Sequence, residues 1–401
     1  MIPSMKRMTL ACAALVAAPA AALAQNVQIY GKLNGDVESV EIKGAAGPNY
    51  GARTRVTSNS SHIGFRGSED LGAGLNAFFQ VESAVNFDNG TSSGFLASRN
   101  SAVGMRSGSY GSFFLGQWDS PYKVSTLPLD PTADTTIAGY SGIMGGTGGV
   151  TAGQGGATFA ERASFERRVA NVLQYWTPDW NGVTARLAYG AGDTNIGSSA
   201  NGVSEASGLR PSLASANVSY ENGPLYATAA YEQHKDFQSL NTLLNAPASG
   251  GKDYAYKAGV QYGFLDKTLV VGGIYEHLHY RADDINNLGS LERKVDNWYG
   301  VVKYFHGRHE FDVSYAQKGE EKLSGAGFST LPDSKAHQIT ARYAFSFSKR
   351  TQVYAIATRI TNGANAFQEF GNAPITSTLI FRDPSKGGDS TGIGIGMMHS
   401  F

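Results

Sequence analysis

The sequence predicts an all-β fold: a 16-stranded antiparallel transmembrane β-barrel with a long third loop that narrows its interior. Three observations carry this. From Val27 onward, segments of about 8–12 residues alternate apolar and polar positions, with Gly, Asn, Asp or Pro between them. The connections alternate between tight turns and long polar loops, the layout of a barrel with a turn end and a loop end. Beyond the first residues no apolar run reaches the ~18 residues that a spanning helix needs.

The chain opens with a targeting pattern. Lys6 and Arg7 form a basic start, Leu10 to Ala18 a short apolar run, and Ala22-Leu23-Ala24 a small-x-small site before Gln25. Residues 1–24 are expected to be a secretory signal peptide, removed to leave a barrel over 25–401. The single cysteine, Cys12, lies inside that segment, so the mature chain has no disulfide. Hydrophobic residues make up 41% of the chain, modest for a membrane protein but expected where only alternate residues meet lipid. A formal net charge of +0 argues against a nucleic-acid partner.

Strands are expected to start near 27, 61, 75, 99, 111, 170, 183, 215, 225, 253, 268, 295, 309, 335, 351 and 391. In the first, Val27, Ile29, Leu33 and Val37 alternate with Gln28, Tyr30, Lys32, Asn34, Asp36 and Glu38, so the two sets face opposite sides. The same parity sets Ala77, Phe79 and Val81 against Asn76, Gln80 and Glu82, and Ile339, Ala341 and Tyr343 against Gln338, Thr340 and Arg342. Tight turns are expected at 68–74, 178–182, 221–224, 265–267, 306–308 and 348–350, and long loops near 44–60, 190–214, 235–252, 281–293, 319–334 and 363–390. Aromatics such as Tyr110, Trp176, Trp180, Tyr262, Phe264 and Phe401 gather at segment ends, where interface girdles belong.

One stretch breaks the rhythm. From Trp118 to about Arg168 no period is sustained, Gly145-Gly146, Gly148-Gly149 and Gly155-Gly156 disfavour helix, and acids recur at Asp119, Asp130, Asp134, Glu161 and Glu166. Connections in compact domains usually run about 4–6 residues, and far longer ones are functional or disordered. Folding into the lumen gives this one a place and a purpose; a surface insertion is the plain alternative.

Alternation puts Lys32, Arg66, Arg99 and Arg186 on the lumen side, with Glu82. An Arg or Lys facing lipid at the midplane would cost about 2–4 kcal/mol. A basic wall opposite the loop acids Asp119, Asp130 and Asp134 would set a transverse field that sorts ions and polar solutes. The plain alternative is solvated lumen charges with no role in selectivity. His277-x-His279 beside Glu276 has metal-ligand character but no second ligand cluster, so a loop-end or interface pair is the better reading. Gly392-x-Gly394-x-Gly396 lacks the following helix of a dinucleotide fingerprint; it fits close packing, a neighbouring subunit being one partner it could serve. No nucleophile elbow and no helical H-E-x-x-H are present, so neither catalysis nor a cofactor is expected.

Residues 62–82 read His-Ile-Gly-Phe-Arg-Gly-Ser-Glu-Asp-Leu-Gly-Ala-Gly-Leu-Asn-Ala-Phe-Phe-Gln-Val-Glu. They are followed by Arg99 ahead of Val103-Gly104, and by Gly111 ahead of Leu115-Gly116. These patterns, with Ile29-Tyr30-Gly31 at the start and the amphipathic segment ending in Phe401, resemble the Gram-negative general porin family of neisserial and burkholderial type. The resemblance implies a homotrimer in the bacterial outer membrane, among lipid and lipopolysaccharide. It implies a third loop folded into the pore, and insertion by the outer-membrane assembly machinery, which reads Phe401. Arg99 falls on the family's pore-wall arginine. His62 and Gln117 stand where many relatives carry Arg, so the basic side of the constriction is thinner. The implied function is passive diffusion of ions and small hydrophilic solutes. The alternatives are a substrate-specific channel for sugars or organic acids, which an aromatic slide along the lumen would favour, and a barrel hydrolase, which no motif supports.

Overall fold

The computed structural model describes residues 27–47, 49–90, 96–135, 137–146, 164–191, 211–237, 239–240, 248–285, 287–371, 375 and 386–401. The wall begins with β1 (Gln28–Lys43), β2 (Tyr50–Ser58, continuing past a kink as His62–Gly72), β3 (Leu75–Ala84), β4 (Ser101–Ser107) and β5 (Gly111–Asp119). It continues with β6 (Arg168–Trp176), β7 (Val183–Ala191), β8 (Ser212–Asn222), β9 (Leu225–Lys235), β10 (Lys252–Phe264) and β11 (Leu269–Ala282). β12 (Leu291–His306), β13 (His309–Lys318), β14 (Ala336–Ser346), β15 (Thr351–Asn362) and β16 (Asp389–Ser400) complete it. Each strand pairs antiparallel with the next, and β1 closes on β16 from Lys32↔Ser400 to Lys43↔Asp389. Closure leaves no row of unpaired backbone groups facing lipid. Two short ladders lie in the loops: Lys322–Gly325 on β12, and Ala248–Ser249 with Asp284–Ile285.

The period of two decides which face each residue meets. On β1, Asn34, Asp36 and Glu38 are buried inward while Leu33 and Val37 are exposed outward. On β16 the exposed residues include Ile393, Ile395 and Met397, with His399 continuing the same parity. In a soluble protein so many exposed apolar side chains would be a liability; here they form the lipid-facing band. Tyr110, Trp180, Tyr262, Phe264 and Tyr304, near the tight-turn end, supply part of an aromatic girdle.

Two expectations need correcting. Residues 44–60 are not one loop: Tyr50–Ser58 is strand, and the connection is 44–49. Its polar residues have partners on β1, since the register sets Arg55 opposite Glu38 and Thr57 opposite Asp36, and both pairs are hydrogen-bonded. The glycines of β16 face the lumen and do not await a neighbouring subunit. A Cβ on Gly396 would lie 2.3 Å from the Tyr354 ring, and one on Gly392 3.1 Å from Ile137 and Phe370.

Candidate functional site

The long third connection leaves the wall at Asp119 and turns at once into α1 (Pro121–Thr126). Ser120 caps it, its Oγ accepting from the Lys123 N–H at 3.2 Å, and Pro121 suits the first turn because no intrahelical acceptor is needed there. Two short 3₁₀ turns follow, Leu127–Leu129 and Tyr140–Gly142. Leu129, Ile137, Tyr140, Ile143 and Met144 are buried against inward residues of the wall, including Val40, Ile42, Tyr299 and Ile356. An apolar face this large on a loop needs cover, and in a barrel only the lumen provides it.

Polar anchors fix the same path. The Tyr122 hydroxyl donates to Glu276 Oε1 at 2.7 Å, and the Gly145 N–H and Asn297 Nδ2 donate to Oε2 at 2.9 and 2.8 Å. Tyr226 donates to the Ser125 carbonyl at 2.6 Å, Lys303 to the Pro128 carbonyl at 3.1 Å, and Gln338 to the Ile137 carbonyl at 3.1 Å. Lys257 donates to Thr126 Oγ1 at 2.7 Å and pairs with Glu166. These contacts hold the described part of the loop against β8 to β12 and β14, and Lys32 and Asn34 of β1 bind Asp134 from the other side. Glu161 and the glycine-rich middle at 147–163 lie outside the described residues.

The acids expected to face Arg99 are engaged elsewhere. Asp119 accepts from Lys123 at 2.9 Å and lies 3.4 Å from Arg168, with Asn100 as a further partner. Asp130 is buried inside its own turn, accepting from the Thr132 N–H and hydroxyl and from the Tyr140 N–H. Its pKa is raised, because burial outweighs those three donors. Asp134 meets Lys32. Arg99 itself pairs with Glu82, Nε to Oε1 at 2.7 Å, and Glu82 also accepts from the Tyr30 hydroxyl at 3.1 Å. His62 and Gln117 brace the same corner: His62 lies 3.8 Å from Glu82, and Gln117 donates to the Ala97 and Arg99 carbonyls.

The arc from β2 to β7 borders open space. A cavity of about 370 Å³ there is lined by Arg66, Arg106, Phe78, Phe114, Trp118 and Trp176. Arg66 and Arg106 are exposed to it, and Arg186 stands over Trp176 with its guanidinium carbon 4.8 Å from the ring. Sequence reasoning passes over Arg106, although its parity with Ala102 and Gly104 already points it inward. It likewise passes over Lys257 and Lys303, and it weighs Glu276 only beside the histidine pair, whereas all three anchor the loop. His277 and His279 do not form a metal site: His277 pairs with Asp296 at 2.7 Å and His279 with Glu292 at 3.4 Å, at the loop end of β11 and β12. Among the described residues no group of three metal-ligating side chains converges.

A family profile described as Gram-negative porin matches residues 11–365. Outer membrane porin protein 32 of Delftia acidovorans is 26% identical over 398 residues, covering 99% of this chain and 100% of the relative. A major outer membrane protein P.IB of Neisseria meningitidis serogroup B is 29% identical over 360 residues, covering 87% and 92%. Among solved structures, an anion-selective porin from Comamonas acidovorans superposes with a TM-score of 0.71 at 24% identity, covering 94% of this chain and all of that one. The trimer form of OmpT from Vibrio cholerae superposes with a TM-score of 0.60 at 15% identity, again over 94% and 100%. With the closed barrel, the lipid-facing band and the polar lumen, these matches place the chain in the Gram-negative porin family, as an outer-membrane channel for passive diffusion.

Proposed function

We propose that ions and small hydrophilic solutes pass between the inward loop and the β2–β7 arc, and that this passage favours anions. The observation that carries it is charge compensation. Arg55, Arg99, Arg168, Arg293 and Arg342 each have a carboxylate partner within 4.0 Å, whereas Arg66, Arg106 and Arg186 have none among the described residues. An unpaired guanidinium in a narrow, poorly screened space attracts anions and repels cations. In this reading Arg66 and Arg186, with Arg106, set the preference. Arg99 and Glu82 form a near-neutral pair beside it, Lys32, Asp119 and Asp134 fix the loop, and Asp130 shapes its turn.

Family membership and the sequence patterns at the two ends of the chain support the remaining assignments. Residues 1–24 serve as a cleaved signal, the mature chain assembles as a homotrimer among lipid and lipopolysaccharide, and Phe401 is the mark read by the assembly machinery. The channel performs no chemistry and needs no cofactor. The test is a reversal potential in a KCl gradient across a planar bilayer. Replacing Arg66, Arg106 and Arg186 together by Gln should move it toward cations, and an unchanged potential would overturn the assignment.

A further inference from the structure

We infer that the β3–β7 arc of the lumen carries a binding site for aromatic carboxylates, a reading that rests on the passage proposed above. Four rings form a continuous edge-to-face patch on the inner wall. Phe78 and Phe114 lie 6.0 Å apart between centroids, Phe114 lies 5.1 Å from Trp118 and 5.2 Å from Trp176, and the two indoles are 6.0 Å apart. Gly104 makes the first contact possible. It sits between Phe78 and Phe114 in the register, and a Cβ there would fall 2.4 Å from the Phe114 Cβ.

Phe114 is buried at the centre of the patch, while Phe78, Trp118 and Trp176 are half-buried around it and border the open cavity, where neither lipid nor the described part of the loop covers their remaining surface. The cavity beside them, about 370 Å³, lies within the ~300–1,000 Å³ of small-molecule sites. Two of the arginines without a carboxylate partner on this arc sit directly on the patch, Arg186 over Trp176 and Arg106 over Phe78 at 5.5 Å, and Arg66 lines the same cavity. The planar guanidinium fork matches a carboxylate through two parallel N–H donors, and the ring edges and faces accept a second ring. A short aliphatic acid meets the arginines but leaves the rings unused. A neutral aromatic amide meets the rings but cannot pair with the arginines, and an aromatic cation is repelled. Phe78, Phe114 and Trp176 lie toward the tight-turn end, which is the periplasmic end in barrels of this class, and Trp118 extends the patch toward the point where the third connection leaves the wall.

The test uses the purified full-length barrel in planar bilayers, with benzoate, acetate or benzamide added on the tight-turn side and current blockages timed. Benzoate should dwell about tenfold longer than acetate or benzamide, the ratio expected from one added charge-assisted or stacking contact. Trp176→Leu should collapse the benzoate-to-acetate ratio, and replacing Arg106 and Arg186 by Gln should collapse the benzoate-to-benzamide ratio. Quenching of tryptophan fluorescence by benzoate in the wild-type protein gives a second reading that needs no variant to fold. Equal dwell times for benzoate and acetate, or ratios the variants leave intact, would overturn the site while the channel reading stands. A barrel that fails to conduct KCl at all would overturn both.

Discussion

The Tyr122 hydroxyl donates to Glu276 Oε1 at 2.7 Å, tying the first turn of α1 to β11 on the facing wall. Glu276 is fully buried and also receives Gly145 and Asn297, so one carboxylate clamps both α1 and the turn at Gly145 to the wall. Breaking a hydrogen bond to a charged group costs about 1.5–3 kcal/mol. Glu276→Ala should therefore loosen the loop and make single-channel current larger or noisier, while strand content by circular dichroism stays unchanged. A quiet, wild-type trace from a folded Glu276→Ala barrel would show that the clamp is not what holds the loop.

The apolar side of the loop makes its own prediction. Tyr140 is buried against Tyr299, with ring centroids 5.1 Å apart. Truncating a buried aromatic typically costs about 3–5 kcal/mol. Tyr140→Ala should raise protease sensitivity within 118–146 and increase current noise without lowering the yield of barrel. Resistance equal to wild type under limited proteolysis would argue that Tyr140 contributes little to docking.

Arg99 and Glu82 neutralise one another, so reversing one of them is a stronger perturbation than removing it. Arg99→Glu places two carboxylates side by side and should shift the reversal potential toward cations, whereas Arg99→Gln should shift it less. If Arg99→Glu leaves the potential where it was, Arg99 lies outside the conducting path.

Phe401 joins the chain's two ends. Its N–H donates to the Gly31 carbonyl and its carbonyl accepts from the Gly31 N–H, both at 3.0 Å, and its ring covers the Gly31 position. Deleting Phe401 removes that seam as well as the terminal aromatic, so the inserted barrel should fall several-fold in cells. Normal amounts of folded protein in the outer membrane would count against both roles.

The loop after β13 carries a pH signature. Burial alone would raise the Glu321 pKa, but Arg293, bonded at 2.9 Å through two nitrogens, and Lys318 outweigh it and hold the group well below the usual carboxylate range. A depressed folded pKa stabilises fully above the ordinary value of about 4.3, and that stability is lost as pH falls through the folded value. Residues 319–334 should stay protease-protected through mild acid and loosen only in strong acid. Glu321→Gln should flatten this dependence, and identical acid profiles for the two proteins would dismiss the ion pair as its origin.

The barrel was legible in the sequence because its rule is local. A residue's parity within a strand decides whether it meets lipid or lumen, so Lys32, Asp36, Gln338 and Arg342 could be placed inward from their neighbours alone. The turns between strands were legible for the same reason, being written in adjacent Gly, Asn, Asp and Pro residues. The segment Tyr50–Ser58 escaped because its strand identity depends on Glu38 and Asp36, across the ladder on β1. That the long connection turns inward followed from its length and the barrel around it. Which residues hold it did not: Tyr122 finds Glu276 across 154 positions of sequence, and Lys32 finds Asp134 across 102. Such pairs exist only once closure of β1 on β16 brings opposite walls within reach. Pairing of neighbouring strands brings Arg99 onto Glu82, whose carbonyl also accepts from the Arg99 N–H at 3.0 Å, while Arg66, Arg106 and Arg186 meet no carboxylate among the described residues. Parity fixes which way a charge points, but the charge that answers it is chosen by three-dimensional proximity.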